Sequence, residues 1–331
     1  MISAVEIRNF RGIQRGTLEG LTPLTVLVGP NASGKSTILD ALLIGANPVP
    51  GYAVGQVGIR RRDVESGRWL FWKSHADTEP EISVTTHGGE VRHCALTLDP
   101  SSPNDRSRIT CRVRDGVDAW CDPILVVVGP DNHYEYETWS RALADVPEIA
   151  LYEGKLSRIE TPLHKLFTKT REQGRREEVK AIVDVVIPGV LDIEILAPGD
   201  SPVVYFTFDD YSAPVATAGD GVETLLRLCF ALASRPSGVV LVEEPELHKH
   251  PGALHQCAMA ILAALRRGIQ IIFSTHSLEL IDAILAETRD GAELDKLSVH
   301  RVRLTDGWLK SHRLAGSEIA FARTTIEDDL R

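Results

Sequence analysis

The chain has 331 residues, 43% of them hydrophobic and 25% charged, with a formal net charge of −10. This length predicts about two domains with a sizeable core, and the acidic balance excludes a protein that coats nucleic acid over its whole surface, while allowing a local basic patch. No apolar run approaches the ~20 residues of a membrane span, and the N-terminus lacks a basic segment followed by an apolar stretch, so a cytoplasmic protein with no membrane partner is expected.

Residues 2 to 28 read as strands. Val5 and Ile7 alternate with polar neighbours, Phe10-Arg11-Gly12 turns the chain, and Leu24 to Val28 forms a buried apolar run. Gly29-Pro30-Asn31-Ala32-Ser33-Gly34-Lys35-Ser36-Thr37 follows at once. This is G-x-x-x-x-G-K-S, the Walker A phosphate loop. Ile38, Leu39, Leu42 and Leu43 then mark one face of a helix that stops before Asn47-Pro48. Strand, glycine loop and helix N-terminus together make an anion cradle, with backbone N–H groups from Asn31 to Ser36 turned to phosphate. Lys35 is placed to reach the β- and γ-phosphates of a nucleotide, and the Ser36 hydroxyl to bind Mg²⁺.

Residues 46 to about 130 carry no long helical period. Ile82 to Thr85 and Cys94 to Leu98 read as strands of an antiparallel layer, and Ile124 to Val128 as another buried strand ended by Gly129-Pro130. Residues 135 to 187 read as mainly helical and charged, and 190 to 208 as strand. The basic stretch 155–180, with Lys155, Arg158, Lys165, Lys169, Arg171, Arg175, Arg176 and Lys180, is a candidate DNA contact or a solvated face, as is Arg60-Arg61-Arg62. Beyond 208, helices 220–234, 252–267 and 277–287 alternate with strands 239–242 and 269–274, which argues for a parallel sheet covered by helices. The last residues, with Glu327-Asp328-Asp329, read as an acidic tail or docking segment. Cys94, Cys111, Cys121, Cys229 and Cys257 form no C-x-x-C pair and read as reduced thiols, several of them in cores.

Three later motifs narrow the choice. Val239 to Val242 ends in Glu243-Glu244-Pro245-Glu246, a Walker B strand. There Glu243 is the metal ligand, and Glu244 the general base or orienter of the attacking water. Ile271-Ile272-Phe273-Ser274-Thr275-His276-Ser277 delivers His276 from a buried strand to a point where it can touch a γ-phosphate or its attacking water. Thr217-Ala218-Gly219 precedes an amphipathic helix bearing Val222, Leu225, Leu226, Cys229 and Phe230. A capping box from Asp220 and Glu223 is one reading of that helix start. The other is a phosphate-sensing signature, formed by Thr217, Gly219 and the helix N-terminus, for a nucleotide on another subunit. His248 and His250, with His255 nearby, give only a weak zinc pattern, with no third ligand in register.

The order Walker A, signature-like helix, E-E-P-E and S-T-H-S resembles the ABC-class ATPase heads. Within them it is similar to the branch that includes the OLD (overcoming lysogenization defect) nucleases and their stand-alone ATPase relatives, and more distantly to SMC and RecF heads. The stretches that carry the resemblance are Ile7 to Gly12, Gly29 to Thr37, Thr217 to Gly219, Val239 to Glu246 with Leu247, His248 and Pro251, and Ser274 to Ser277. Residues 46–200 resemble the family poorly.

The resemblance implies an α/β P-loop fold of ABC-ATPase type, with a mixed central sheet, an antiparallel β subdomain and a helical insertion. The nucleotide-binding core is expected at 1–45 plus 201–331, a β-rich insertion at 46–134 and a helical lobe at 135–200. It implies ATP and Mg²⁺ as ligands, Lys35, Glu244 and His276 as catalytic residues, and Ser36 and Glu243 as metal ligands. Thr217 and Gly219 correspond to the signature, and Arg11 to an N-terminal arginine near the nucleotide. Thr217 stands for the usual Ser, Asp220 for a common Gln and Glu243 for the usual Asp; these departures bear on hydrolysis rate more than on ATP binding. No Q-loop glutamine is assigned, Gln56 being a poor match. Residues after 287 hold no D-x-D pair, so an effector such as a Toprim-type nuclease is expected on a separate subunit in phage defence or DNA repair. The alternatives are a RecF-like DNA binder acting through 155–180 and a non-hydrolysing ATP-bound scaffold.

Overall fold

The computed structural model describes residues 1–60, 67–103, 106–129, 133–153, 161–199, 201–247, 249–326 and 328–330. Arg61, Arg62, Lys155, Arg158, His248 and Glu327, all singled out in the sequence, lie outside the described residues.

The chain opens with β1 (Ile2–Phe10), β2 (Ile13–Glu19), β3 (Leu24–Val28), α1 (Lys35–Ala46) and α2 (Pro50–Ile59). An antiparallel run follows: β4 (Glu81–Thr86), β5 (Val91–Leu98), β6 (Ser107–Asp115), β7 (Ile124–Val128) and β8 (Tyr134–Tyr136). Next come β9 (Ile149–Glu153), α3 (Leu163–Glu172), α4 (Arg176–Val186), and the short strands β10 (Asp192–Leu196), β11 (Val203–Thr207) and β12 (Ser212–Pro214). The last third holds α5 (Asp220–Ala233), β13 (Val239–Glu243), α6 (Leu254–Arg266), β14 (Gln270–Ser274), α7 (Leu278–Glu287), α8 (Gly291–Leu294), β15 (Leu297–Thr305), β16 (Trp308–Ala315) and α9 (Gly316–Thr324).

Thirteen strands make one mixed sheet in the order β8-β7-β6-β5-β4-β1-β2-β16-β15-β3-β14-β13-β9, and β10 to β12 make a separate three-stranded sheet. The strands from β15 to β9 in that order run parallel, and those from β8 to β2 run antiparallel. The parallel strands are apolar on both faces because both faces are covered. Val240 and Val242 of β13 join one core with α3 to α7, while Val239 and Leu241 join the other with α1, α2 and the antiparallel wing. The period of two along a single strand thus divides the two cores.

Two elements differ from the sequence reading. The segment after residue 46 contains the helix α2, whose Gly51, Gly55 and Gly58 are poor helix formers and mask its period. The stretch read as mainly helical from 135 contains β9, which pairs with β13 as an edge strand of the parallel core. The helix that starts at Asp220 has Gly219 as its N-cap, with no side-chain cap bond. Glu223 instead accepts from Arg227 Nε at 2.9 Å, so the capping box does not form. Four of the five free cysteines are buried; burial pushes the Cys94 thiol up to about 12 and Cys257 to about 11. Among the described residues, no helix is long and apolar enough to cross a membrane.

Candidate functional site

Parallel pairing sets the site. Glu243 aligns with Ser274 on β14 and with Glu153 on β9, and Ser274 aligns with Leu27 on β3. The carboxyl ends of four strands therefore open on one edge, where ligands of parallel sheets bind. Because β14 separates β3 from β13, His276 leaves the sheet between the phosphate loop and the Walker B acids.

The loop between β3 and α1 is built for close approach. Gly29 (φ 149°) and Gly34 (φ 96°) have positive φ, and a Cβ at Gly29 would overlap the Val302 carbonyl. Asn31 and Ala32 form the exposed tip, while Ser33, Lys35 and Thr37 are buried. Lys35 Nζ donates to the carbonyls of Gly29 at 2.8 Å and Pro30 at 3.0 Å. Burial lowers its pKa, against the opposing pull of Glu244, Glu243 and Glu246. The Ser33 hydroxyl is buried with no hydrogen-bond partner. An orphaned donor, a glycine cradle and an ammonium side by side fit a phosphate chain.

The Ser36 hydroxyl donates to Glu243 Oε1, so the two expected metal ligands meet. A hydroxyl and a carboxylate are suitable oxygen donors for Mg²⁺ beside phosphate. Among the described residues, no group of three or more His, Cys, Asp and Glu side chains is arranged to hold a metal by itself. His250 Nδ1 accepts from the Gly252 amide at 3.1 Å, and His255 lies 3.6 Å from Glu287.

Glu244 follows with φ 46°, a strained left-handed conformation for a non-glycine residue. Its amide donates to the Ser274 carbonyl at 3.0 Å, and its Oε1 lies 3.5 Å from His276 Nε2. Burial raises the Glu244 pKa, repulsion from Glu246 adds to this, and His276 opposes it. The His276 amide donates to Glu246 Oε1 at 2.8 Å, and Glu246 Oε2 is buried with no partner. The motif contained Glu246, but its reach back to His276 depends on the pairing of β13 with β14.

The sequence reading missed Asp40 and Glu153, and took Arg60 for part of a basic patch or solvated loop. Arg11, expected near the nucleotide, bonds Asp40 on α1 and stacks over Trp69 at 4.5 Å. Arg60 bonds the other oxygen of Asp40, Glu153 (2.7 Å) and Glu243. Its side chain is 5% exposed, so Arg60 is an internal site residue and not part of a basic surface run. Gln56 is also buried, on α2.

Thr217 and Gly219 stand apart from this cluster, on an exposed 3₁₀ turn ahead of α5. The Thr217 hydroxyl donates to the Pro214 carbonyl at 2.7 Å, and Gly219 has φ 92°. In the 155–180 stretch, Lys180 pairs with Asp184, and Arg176 with Glu177 and Asp192. These acids reduce the charge available for DNA.

A groove of about 390 Å³ beside Gly29 and Pro30 is lined by Arg301, Arg303, Lys310 and His312.

Residues 133–282 match the family described as "AAA domain, putative AbiEii toxin, Type IV TA system", and residues 1–57 match "AAA ATPase domain". An OLD nuclease from Thermus scotoductus is 26% identical over 324 residues, covering 84% of this chain and 59% of its own length. An ATP/GTP phosphatase from Helicobacter pylori is 32% identical over 90 residues, 26% of this chain and 24% of its own. The chain therefore spans less than two thirds of the curated relatives it matches. A crystal structure of an SMC head bound to the C-terminal winged-helix domain of ScpA superposes with a TM-score of 0.54 at 15% identity, covering 95% of this chain and 98% of the other.

Fold and site define a phosphate-binding loop on a mixed α/β sheet, of the kind the two AAA ATPase family models describe. The chain is related to the OLD nucleases in sequence and shares the fold of the SMC heads.

Proposed function

We propose that the protein binds and hydrolyses ATP with Mg²⁺ in a head-to-tail dimer and acts as a nucleotide switch for a separate effector. The observation that carries this reading is the convergence of Lys35, the Ser36–Glu243 pair, Glu244 and His276 at one sheet edge.

Ser36 and Glu243 would hold Mg²⁺, which supplies charge neutralisation on the phosphate oxygens. Lys35 and the loop amides from Asn31 to Thr37 bind and orient the phosphates. Glu244 takes a proton from the attacking water, and His276 orients that water or the γ-phosphate. The γ-phosphorus–oxygen bond breaks, and ADP and phosphate leave. Arg11 supports the site through Asp40.

Thr217 and Gly219 serve the partner's nucleotide, which their exposure favours. Contacts made only to the γ-phosphate would then separate closed from open states. In this reading, residues 1–45 plus 201–331 are the core, with 46–134 and 135–200 as insertions and β9 lent to the core sheet. Similarity to an OLD nuclease supports a nuclease as the effector, and a Toprim type and a role in phage defence or DNA repair are proposed with it. DNA binding is the second reading, for which the groove beside Pro30 offers Arg303 and Lys310, Arg301 being paired with Asp328.

Phosphate release and ATP binding by wild type, Lys35→Ala and Glu244→Gln test the proposal. Loss of both in the first variant and of release alone in the second is expected. ATP binding without release by wild type would leave a scaffold.

A further inference from the structure

Arg60 caps the C-terminal end of α2, and one guanidinium there meets carboxylates from three elements: Asp40 on α1, Glu153 on β9 and Glu243 on β13. A planar fork with five N–H donors holds such a set in one fixed geometry, whereas an ammonium is a compact point charge with three rotatable donors. Glu243 is divided, with Oε1 taking the Ser36 hydroxyl and Oε2 taking Arg60. Arg60 and a divalent cation would therefore compete for one carboxylate. If Glu243 turns to the cation, Arg11 and Arg60 balance Asp40 and Glu153 two against two, and no buried charge is left unpaired.

The rest of α2 is seated on the outer end of the antiparallel wing. Gly51, Gly55 and Gly58 line one face, where a Cβ would crowd Ile124 and Tyr136, Tyr134, and Val128 respectively. The Tyr52 ring lies 6.1 Å from Tyr134 and 6.0 Å from Tyr136. Contacts this close pass on a displacement and do not absorb it.

We propose that Arg60 is a positioning residue that competes with the divalent cation for Glu243, and that this exchange shifts α2 and, through its glycine face, the β7–β8 edge. The wing then reads whether metal and nucleotide are in place. This rests on the ATP and Mg²⁺ reading above.

The test is a Mn²⁺ titration of protein saturated with a non-hydrolysable ATP analogue, with amide hydrogen exchange of β7 and β8 followed with and without Mn²⁺. Arg60→Lys keeps the charge and loses the fork. It should bind Mn²⁺ about threefold tighter or more, and its β7–β8 exchange should stop responding to metal. Tyr134→Ala should keep wild-type Mn²⁺ affinity and lose the response in β7. Unchanged or weaker Mn²⁺ binding by Arg60→Lys would overturn the competition. Wild-type β7–β8 exchange indifferent to metal would overturn the coupling. Wild type that takes up neither analogue nor metal would remove the ATPase reading and this inference with it. If wild type takes up both and Arg60→Lys behaves identically, only the Arg60 assignment fails.

Discussion

Glu244 Oε1 stands 3.5 Å from His276 Nε2, a contact between the residue just after β13 and the loop that follows its parallel neighbour β14. The pair joins a carboxylate of raised pKa to the group that opposes the rise. A general base must be deprotonated, so the acid limb of the hydrolysis profile should lie above the ordinary 4.5 of a glutamate. Glu246→Gln removes a repelling charge and should move that limb to lower pH; an unmoved limb counts against Glu244 as the base. The sign for stability is opposite. A raised carboxylate contributes fully below its unfolded pKa, and that contribution is lost as pH rises through the folded value. Glu244→Gln should therefore melt at a higher temperature than wild type at pH 7, with the gap closing towards pH 4.

Lys35→Ala should lower phosphate release by about 100-fold or more, as expected for loss of a charged phosphate clamp. Its thermal stability should change little, because the cost of burying the ammonium offsets its bonds to the loop carbonyls and the pull of the nearby glutamates. Equilibrium ATP binding and melting curves measured together check both parts.

Thr217→Arg places a long cation on an exposed turn and removes one hydrogen bond to Pro214. The variant should bind ATP as wild type does and lose ATP-dependent association. Gly219→Ala meets nothing within 4 Å but must adopt φ 92°, at a cost of about 1 kcal/mol in folding stability. Sedimentation with and without ATP separates the effect on association from that on stability.

His300 on β15 is 1% exposed, and burial lowers its pKa to about 4. A depressed histidine contributes stability above its unfolded pKa near 6.5, and loses it as pH falls through the folded value. Between pH 7 and pH 5 this one group should remove about 2 kcal/mol. His300→Asn should show a flatter decline in denaturant midpoint over that range.

The phosphate loop and Walker B acids are legible in sequence because their chemistry is packed into consecutive residues between apolar runs. The pairing that seats His276 between them follows from buried strands whose alternating residues serve two cores. Arg60, Asp40 and Glu153 are not legible in this way. Each stands on a different element, and nothing local marks Arg60 as buried within a basic run. The helix that carries it is hidden by its glycines, which lower helix propensity while allowing contact with Tyr134 and Val128. Glu153 ends a short strand in a stretch whose charge suggested helix.

The most direct test of the shared-site account is the mass of purified Glu244→Gln, measured by light scattering with and without Mg-ATP, beside Lys35→Ala. The account predicts that ATP raises the mass of Glu244→Gln to that of a dimer or higher assembly and leaves Lys35→Ala unchanged. Saturating ATP binding by Glu244→Gln with no change in mass would contradict it.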